Sequence, residues 1–183
     1  MTAPAGYRRI ARLDFEVYRS EHSWPRAFFT DHVEPYDNVA QFVRLIRERS
    51  PATPFAAVQT GDAADSLSAG KPAGPEGEGL NGHGDKATPN PIVAHASDYV
   101  LEPNRTSFTV TAPGPGIAVL QEAWLADDFR ATLDGKPVPY LRVDHMFKGV
   151  VIPAAGTDRV SFAYWPRGFT LTLLLSVGGM AGF

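Results

Sequence analysis

The sequence predicts a mainly β protein, an antiparallel β-sandwich with one α-helix in its N-terminal half. Three observations carry that prediction. Residues 117–164 hold a succession of short apolar or alternating runs with no helical period between them, the pattern of consecutive antiparallel strands. Turn chemistry separates those runs at short intervals, Asp134-Gly135 above all, a dipeptide that tolerates the positive φ of a tight hairpin. Helical spacing of apolar residues is confined to residues 36–49.

Taken in order, residues 7–17 set Ile10, Leu13, Phe15 and Val17 against Arg8, Arg9, Arg12, Asp14 and Glu16, which reads as one strand with a polar face. Residues 20–25 form a turn, and Ala27, Phe28 and Phe29 a brief apolar strand. Val39, Phe42, Val43 and Ile46 then recur on one face of a helix. Asp37 is placed to cap its start, Arg44, Arg47 and Arg49 lie toward its end where cations complement the dipole, and Pro51 and Pro54 stop it. Residues 55–58 look like a further short strand.

Residues 61–91 are a break in composition. This stretch has two leucines and no other large apolar residue, so it buries too little to offset the entropy of ordering and reads as a flexible loop. Beyond it, residues 92–101 and 106–111 form a hairpin joined by residues 102–105, with Phe108 and Val110 facing inward, and residues 113–116 (PGPG) turn the chain again.

Residues 117–124 read as a buried strand. Phe129, Ala131 and Leu133 alternate with Arg130, Thr132 and Asp134 as a half-buried one. Pro137 and Pro139 lack an N–H, so residues 138–143 belong at an edge or a turn. Residues 147–152 are a β-branched run, residues 153–157 punctuate it, and Val160, Phe162 and Tyr164 alternate with Ser161 and Ala163. The expected organisation is one domain. Residues 1–60 give strands and a helix packed on the sandwich, 61–91 the loop, 92–168 the sandwich core, and 169–183 an apolar tail.

Composition excludes several functions. A net charge of −3 over 183 residues gives no basic field to hold phosphates, so nucleic acid is not an expected partner. With no cysteine there is no disulfide framework, thiolate metal site or cysteine nucleophile. His22, His32, His83, His95 and His145 show no paired spacing of the kind a zinc site uses, and no cofactor is implied. The first residues lack the apolar core of a secretory signal, so the targeting of an exported chain would lie outside this sequence.

The tail, FTLTLLLSVGGMAGF, is uncharged and shorter than the roughly 20 residues that span a bilayer. It reads either as a final buried strand or, favoured by Gly178, Gly179 and Gly182, as part of a membrane helix. On the second reading Trp165, Arg167 and Phe169 sit at the membrane interface.

Other residues are candidates for carbohydrate contact. Trp124 and Tyr140 offer faces for sugar rings, and Asp127 and Asp128 offer carboxylates for hydroxyls, although a pair of adjacent aspartates is also an ordinary solvated turn. Asp144-His145 has the residue types of a base and its orienter, but no Gly-x-Ser-x-Gly elbow supplies a nucleophile.

Several of these segments together resemble a known family. The runs VLQEAW, FRATLDGKPVPYLRVDHMFKGVVIPA and VSFAYWPRGFTLTL, with Val17-Tyr18 and Trp24-Pro25-Arg26-Ala27 nearer the start, resemble the C-terminal extracytoplasmic region of bacterial YfhO-type membrane proteins. Ala131 with Asp134-Gly135-Lys136 matches the family's hairpin, Phe147 with Gly149-Val150 its next strand, and Tyr164 with Pro166 its exit toward a membrane helix. Asp127-Asp128-Phe129 stands where the family tends to have Pro-Gly-Trp. The family is similar to polytopic glycosyltransferases that use lipid-linked sugars, and the resemblance does not reach their catalytic region.

What the resemblance implies is a non-catalytic accessory domain of jelly-roll or carbohydrate-binding-module-like shape. It would face the periplasm or cell exterior, partner the transmembrane part of its parent protein or the membrane through the tail, and be positioned to contact an acceptor glycan. The reading set against it is a free-standing carbohydrate-binding sandwich. An independent hydrolase has only scattered carboxylates behind it.

Overall fold

Two β-sheets, each assembled from strands far apart in sequence, close on each other around Phe108, Phe162, Leu120 and Val150. The computed structural model describes residues 6–12, 14, 16–20, 23–49, 53–61 and 92–181. In chain order the strands are β1 (Tyr7–Arg12), β2 (Glu16–Ser20), β3 (Ala27–Thr30), β4 (Val33–Tyr36), β5 (Ala56–Gln59), β6 (Val93–His95), β7 (Ser97–Glu102), β8 (Arg105–Ala112), β9 (Gly116–Ala123), β10 (Phe129–Leu133), β11 (Lys136–Val138), β12 (Leu141–Val143), β13 (Phe147–Ile152) and β14 (Gly156–Tyr164). Helix α1 (Val39–Glu48) lies between β4 and β5, and α2 (Phe169–Ala181) follows β14.

The smaller sheet runs β11-β10-β14-β8-β7 and the larger β4-β5-β12-β13-β9-β3-β6. The protein is therefore mainly β and two-layered, as the succession of short runs predicts. Between the layers, Phe108, Val110, Ala131, Val160 and Phe162 of the smaller sheet meet Phe29, Ala118, Leu120, Val150 and Ile152 of the larger. The larger sheet is apolar on its outer face too, where Phe28, Val58, Ile117, Val119, Leu141 and Val143 are buried. Double coverage explains why residues 117–120 are buried without alternation: each successive side chain enters a different core.

The hairpin at Asp134-Gly135 forms as read, with φ of 50° and 77° and Leu133 opposite Lys136. Pro137 lies in β11, an edge strand, where a missing N–H leaves no ladder bond unmade.

Four expectations are corrected. Residues 7–17 are not one strand: β1 turns back on β2 as a separate two-stranded sheet, with Arg12 opposite Glu16. Residues 92–101 divide at Ala96 between β6 of the larger sheet and β7 of the smaller, and residues 138–143 divide between β11 and β12. In both cases the crossing falls at polar residues or proline, His95, Ser97 and Asp98 in the first and Pro139 in the second. The helix cap is Asn38, not Asp37. Its side-chain oxygen accepts from Gln41 N at 3.0 Å, three residues on, and the Gln41 side chain reaches back one residue beyond the cap to accept from Asp37 N at 2.8 Å, a variant of the capping box. Of the two readings of the tail, the helix is the one observed, over Phe169–Ala181. The predicted loop at residues 61–91 lies, apart from Gly61, outside the described residues.

The N-terminal third also enters the sandwich itself. β3 lies between β9 and β6 inside the larger sheet, and β4 with β5 extends its other edge. β4 and β5 are parallel, with α1 as the crossover between them, as parallel neighbours require. The apolar stripe of α1 is only partly covered. Phe42 and Leu45 pack toward Tyr36 and Phe55, whereas Val39, Val43 and Ile46 stay exposed.

Candidate functional site

The polar and aromatic side chains of interest converge on one end of the sandwich. β9 and β14 finish there, β10 and β13 begin there, and α2 leaves from it. Three backbone bonds tie its turns together: Trp124 N donates to Met146 O at 2.8 Å, Trp165 N to Asp128 O at 2.7 Å, and Tyr164 N to Asn104 O at 2.7 Å.

Between the layers at this end sits a buried charge. Lys148 lies on the inward register of β13 and is 2% exposed. Its Nζ lies 3.3 Å from Glu122 Oε2 and 3.6 Å from the centre of the Phe129 ring. Glu122 also receives the Tyr99 hydroxyl at 2.8 Å, Arg26 Nη2 at 3.0 Å and the Thr106 hydroxyl at 3.2 Å. Burial pushes the Glu122 carboxyl upward, but the Tyr99 hydroxyl, Lys148 and Arg26 outweigh it, and the carboxyl stays below its ordinary value. Lys148 is lowered by burial, with Glu122 opposing. Four donor groups fill the carboxylate, so this network holds the sheets in register and leaves little capacity for a substrate. A lysine inside the run FKGVVI was the visible signal of it.

The carbohydrate candidates come together at this same end, and their functional groups are engaged within the chain. Tyr140 donates to Leu125 O at 2.7 Å and accepts from Phe129 N at 3.3 Å, clamping the 124–128 turn. Trp124 lies under the Arg142 guanidinium, 5.0 Å from the ring centre. Asp128 Oδ1 accepts from Arg167 N at 2.9 Å, and Asp127 Oδ2 pairs with Arg167 Nη1 at 3.3 Å. The two aspartates thus form a turn, with Asp127 at φ 61°, that fastens the root of α2.

The membrane-interface candidates stand beside them. Trp165 packs edge-on against Phe169 with ring centres 5.0 Å apart, donates from Nε1 to Thr170 Oγ1 at 3.0 Å, and carries Arg130 over its face at 4.5 Å. α2 continues from there with Leu171, Leu173, Leu174, Leu175 and Val177 all exposed. Its 13 residues rise about 20 Å, and no helix among the described residues is long and apolar enough to cross a membrane.

Asp144 and His145 occupy a turn, both with positive φ, of 51° and 65°, a pairing of left-handed residues found in tight hairpins. They do different work. Asp144 Oδ1 accepts from Ala57 N at 2.8 Å, joining β12 to β5, while its buried Oδ2 has no hydrogen-bond partner among the described residues. Burial raises this carboxyl to about 7. His145 Nδ1 meets the Tyr36 hydroxyl at 3.3 Å. Asp144 also lines a cleft of about 520 Å³ beneath α1, with Trp24, Phe42, Phe55, Met146 and Phe147. Among the described residues no group of His, Asp or Glu is placed to hold a metal ion.

No family model, curated protein or solved structure matches the chain.

Proposed function

We propose that this chain is the extracytoplasmic accessory domain of a YfhO-type membrane protein, non-catalytic by itself and held at the membrane by α2. The observation that carries the reading is the root of that helix. A segment apolar on every side is fixed to a β-sandwich by Asp127, Asp128 and Trp165, and a helix apolar all round needs either a protein core or a lipid environment to cover it. Trp165 and Arg130 sit where the apolar segment begins, the arrangement favoured at a membrane–water boundary. In this role the sandwich serves an enzyme that transfers sugars from lipid-linked donors on the outer face of the bacterial membrane, standing beside the catalytic core and its acceptor glycan.

The free-standing carbohydrate module receives less support. Tyr140, Asp127 and Asp128 spend their polar groups on the chain itself and Trp124 carries Arg142 over its ring, and a glycan would have to displace those contacts. Co-sedimentation of the full chain with lipid vesicles tests the tethering. The intact protein is expected to pellet with vesicles, and Leu174→Lys, which places a charge on the exposed face of α2, to remain in the supernatant. An intact chain that stays soluble beside vesicles would overturn the proposal.

A further inference from the structure

The ends of the sandwich differ in what they expose. At the end from which α2 leaves, Leu101 is 61% exposed, Met146 60% and Leu125 43%, and Ile46 of α1, beside Met146 along the cleft, is 52% exposed. Strand register and turn bonds place them toward that end. Leu101 is opposite Thr106, which is itself opposite Phe162. Leu125 belongs to the turn clamped by Tyr140, and Met146 bonds through its carbonyl to Trp124. Around the far turns, at residues 113–115 and 153–155, the exposed large apolar residue among the described residues is Ile92, and Val39 is exposed at the start of α1, away from the α2 end.

Scattered exposed leucines are normal on any protein surface. Here Leu125 and Met146 lie in turns near the root of an uncovered apolar helix, with Leu101 at the end of β7 and Ile46 near the end of α1, so the set faces one end of the sandwich. Strand-end and turn tips of this kind enter the headgroup region of a bilayer readily, because the backbone bonds that hold them are already made inside the protein. The cations around them suit the same partner. Arg130 lies over Trp165, Arg142 over Trp124, and Arg167 holds Asp127, so aliphatic stems run along apolar surface while the charged heads stay at headgroup level.

We propose that this end of the sandwich is a membrane-contact face, with Leu101, Leu125, Met146 and Ile46 seated in the interface of a lipid bilayer around the point where α2 enters it. This rests on the tethering reading above and adds an orientation to it. The domain stands upright on the membrane with the turns at residues 113–115 and 153–155 farthest from it, rather than swinging freely on a linker.

The chain has no cysteine, so single labels can be placed without background. Leu101→Cys, Leu125→Cys and Met146→Cys, with Leu174→Cys in α2 and Ala155→Cys at the far end, each carry an environment-sensitive fluorophore in the otherwise intact protein. Vesicles of phosphatidylcholine with phosphatidylglycerol are then added. Expected are a blue shift and a several-fold rise in emission at positions 101, 125, 146 and 174, and none at 155. A response at 174 alone would leave the tether standing and overturn the seated face. A response at all five positions would also overturn it, because the bilayer would then not meet one end. Silence at all five would remove the tethering reading together with this one.

Discussion

Lys148 Nζ lies 3.3 Å from Glu122 Oε2 and 3.6 Å from the centre of the Phe129 ring, so a cation of the larger sheet is held between its own carboxylate and an aromatic face of the smaller. The two partners are not equivalent. Glu122 has three other donors around it, whereas Lys148 depends on Glu122 for its counter-charge.

Removing either partner should therefore cost different amounts. Glu122→Ala leaves a buried ammonium without its carboxylate and should lower stability by about 3–5 kcal/mol. Lys148→Met keeps the volume, removes the charge and leaves Glu122 with Tyr99, Arg26 and Thr106, so the loss should be within about 1 kcal/mol. Urea denaturation of both variants measures the difference. Equal losses would mean that packing, not charge balance, governs this contact.

The two carboxyls at this end respond to pH in opposite senses. Asp144 is raised from 3.8 to about 7, so the folded state binds a proton that the unfolded state has released, and stability falls as pH rises from 3.8 toward 7. Glu122 is held below 4.5, so its contribution is present above that value and is lost as pH falls through its lower folded value. Thermal melts from pH 4 to pH 8 should show the protein losing stability toward pH 8, by a few kcal/mol at most. Asp144→Asn should flatten that decline while leaving the loss in acid. An unchanged decline in Asp144→Asn would remove Asp144 as its source.

Much of this was legible because strand sequences carry their burial in alternation. Phe108 with Val110 and Val160 with Phe162 identify the inner face of the smaller sheet, and Asp134-Gly135 identifies its hairpin. What could not be read were events at right angles to the strand. Nothing in the sequence around Ala96 or Tyr140 announces that the chain leaves one layer for the other, because His95, Ser97 and Asp98 in the one case and Pro137 and Pro139 in the other read equally well as a turn or edge within a single sheet. Asp144-His145 was opaque for a related reason: a tight turn is advertised by glycine, and here an aspartate and a histidine adopt its positive φ. Trp124, Asp127, Asp128 and Tyr140 show only their chemical type in the sequence. Their partners Leu125, Arg142 and Arg167 are tertiary neighbours that no spacing reveals.

Asp128→Ala separates the sandwich from its helix. The lost bond is the one from Arg167 N to Asp128 Oδ1, at an exposed site, so global stability should fall by no more than about 1 kcal/mol. Hydrogen exchange at Arg167 and in the first turn of α2 should quicken, with exchange at Phe108 and Val160 unchanged. Faster exchange throughout the sheet would show that the turn supports the sandwich as well as the helix.

Three glycines grade the tightness of the fold. A Cβ at Gly114 meets open space, and Gly114→Ala should be neutral. At Gly135 there is also room, but φ is 77°, so Gly135→Ala should cost about 1–2 kcal/mol from the left-handed backbone alone. At Gly116 the obstacle is packing, because a Cβ would lie 2.5 Å from Thr30 O and 2.6 Å from two carbons of the Phe29 ring. Thr30 and Phe29 are fully buried and neither can yield without opening the pairing of β3 with β9, so Gly116→Ala should cost about 3 kcal/mol, the upper end of overpacking. Denaturation midpoints of the three variants test the order. A silent Gly116→Ala would mean that Thr30 does not stand opposite Ile117, and the placement of the N-terminal third inside the larger sheet would fall with it.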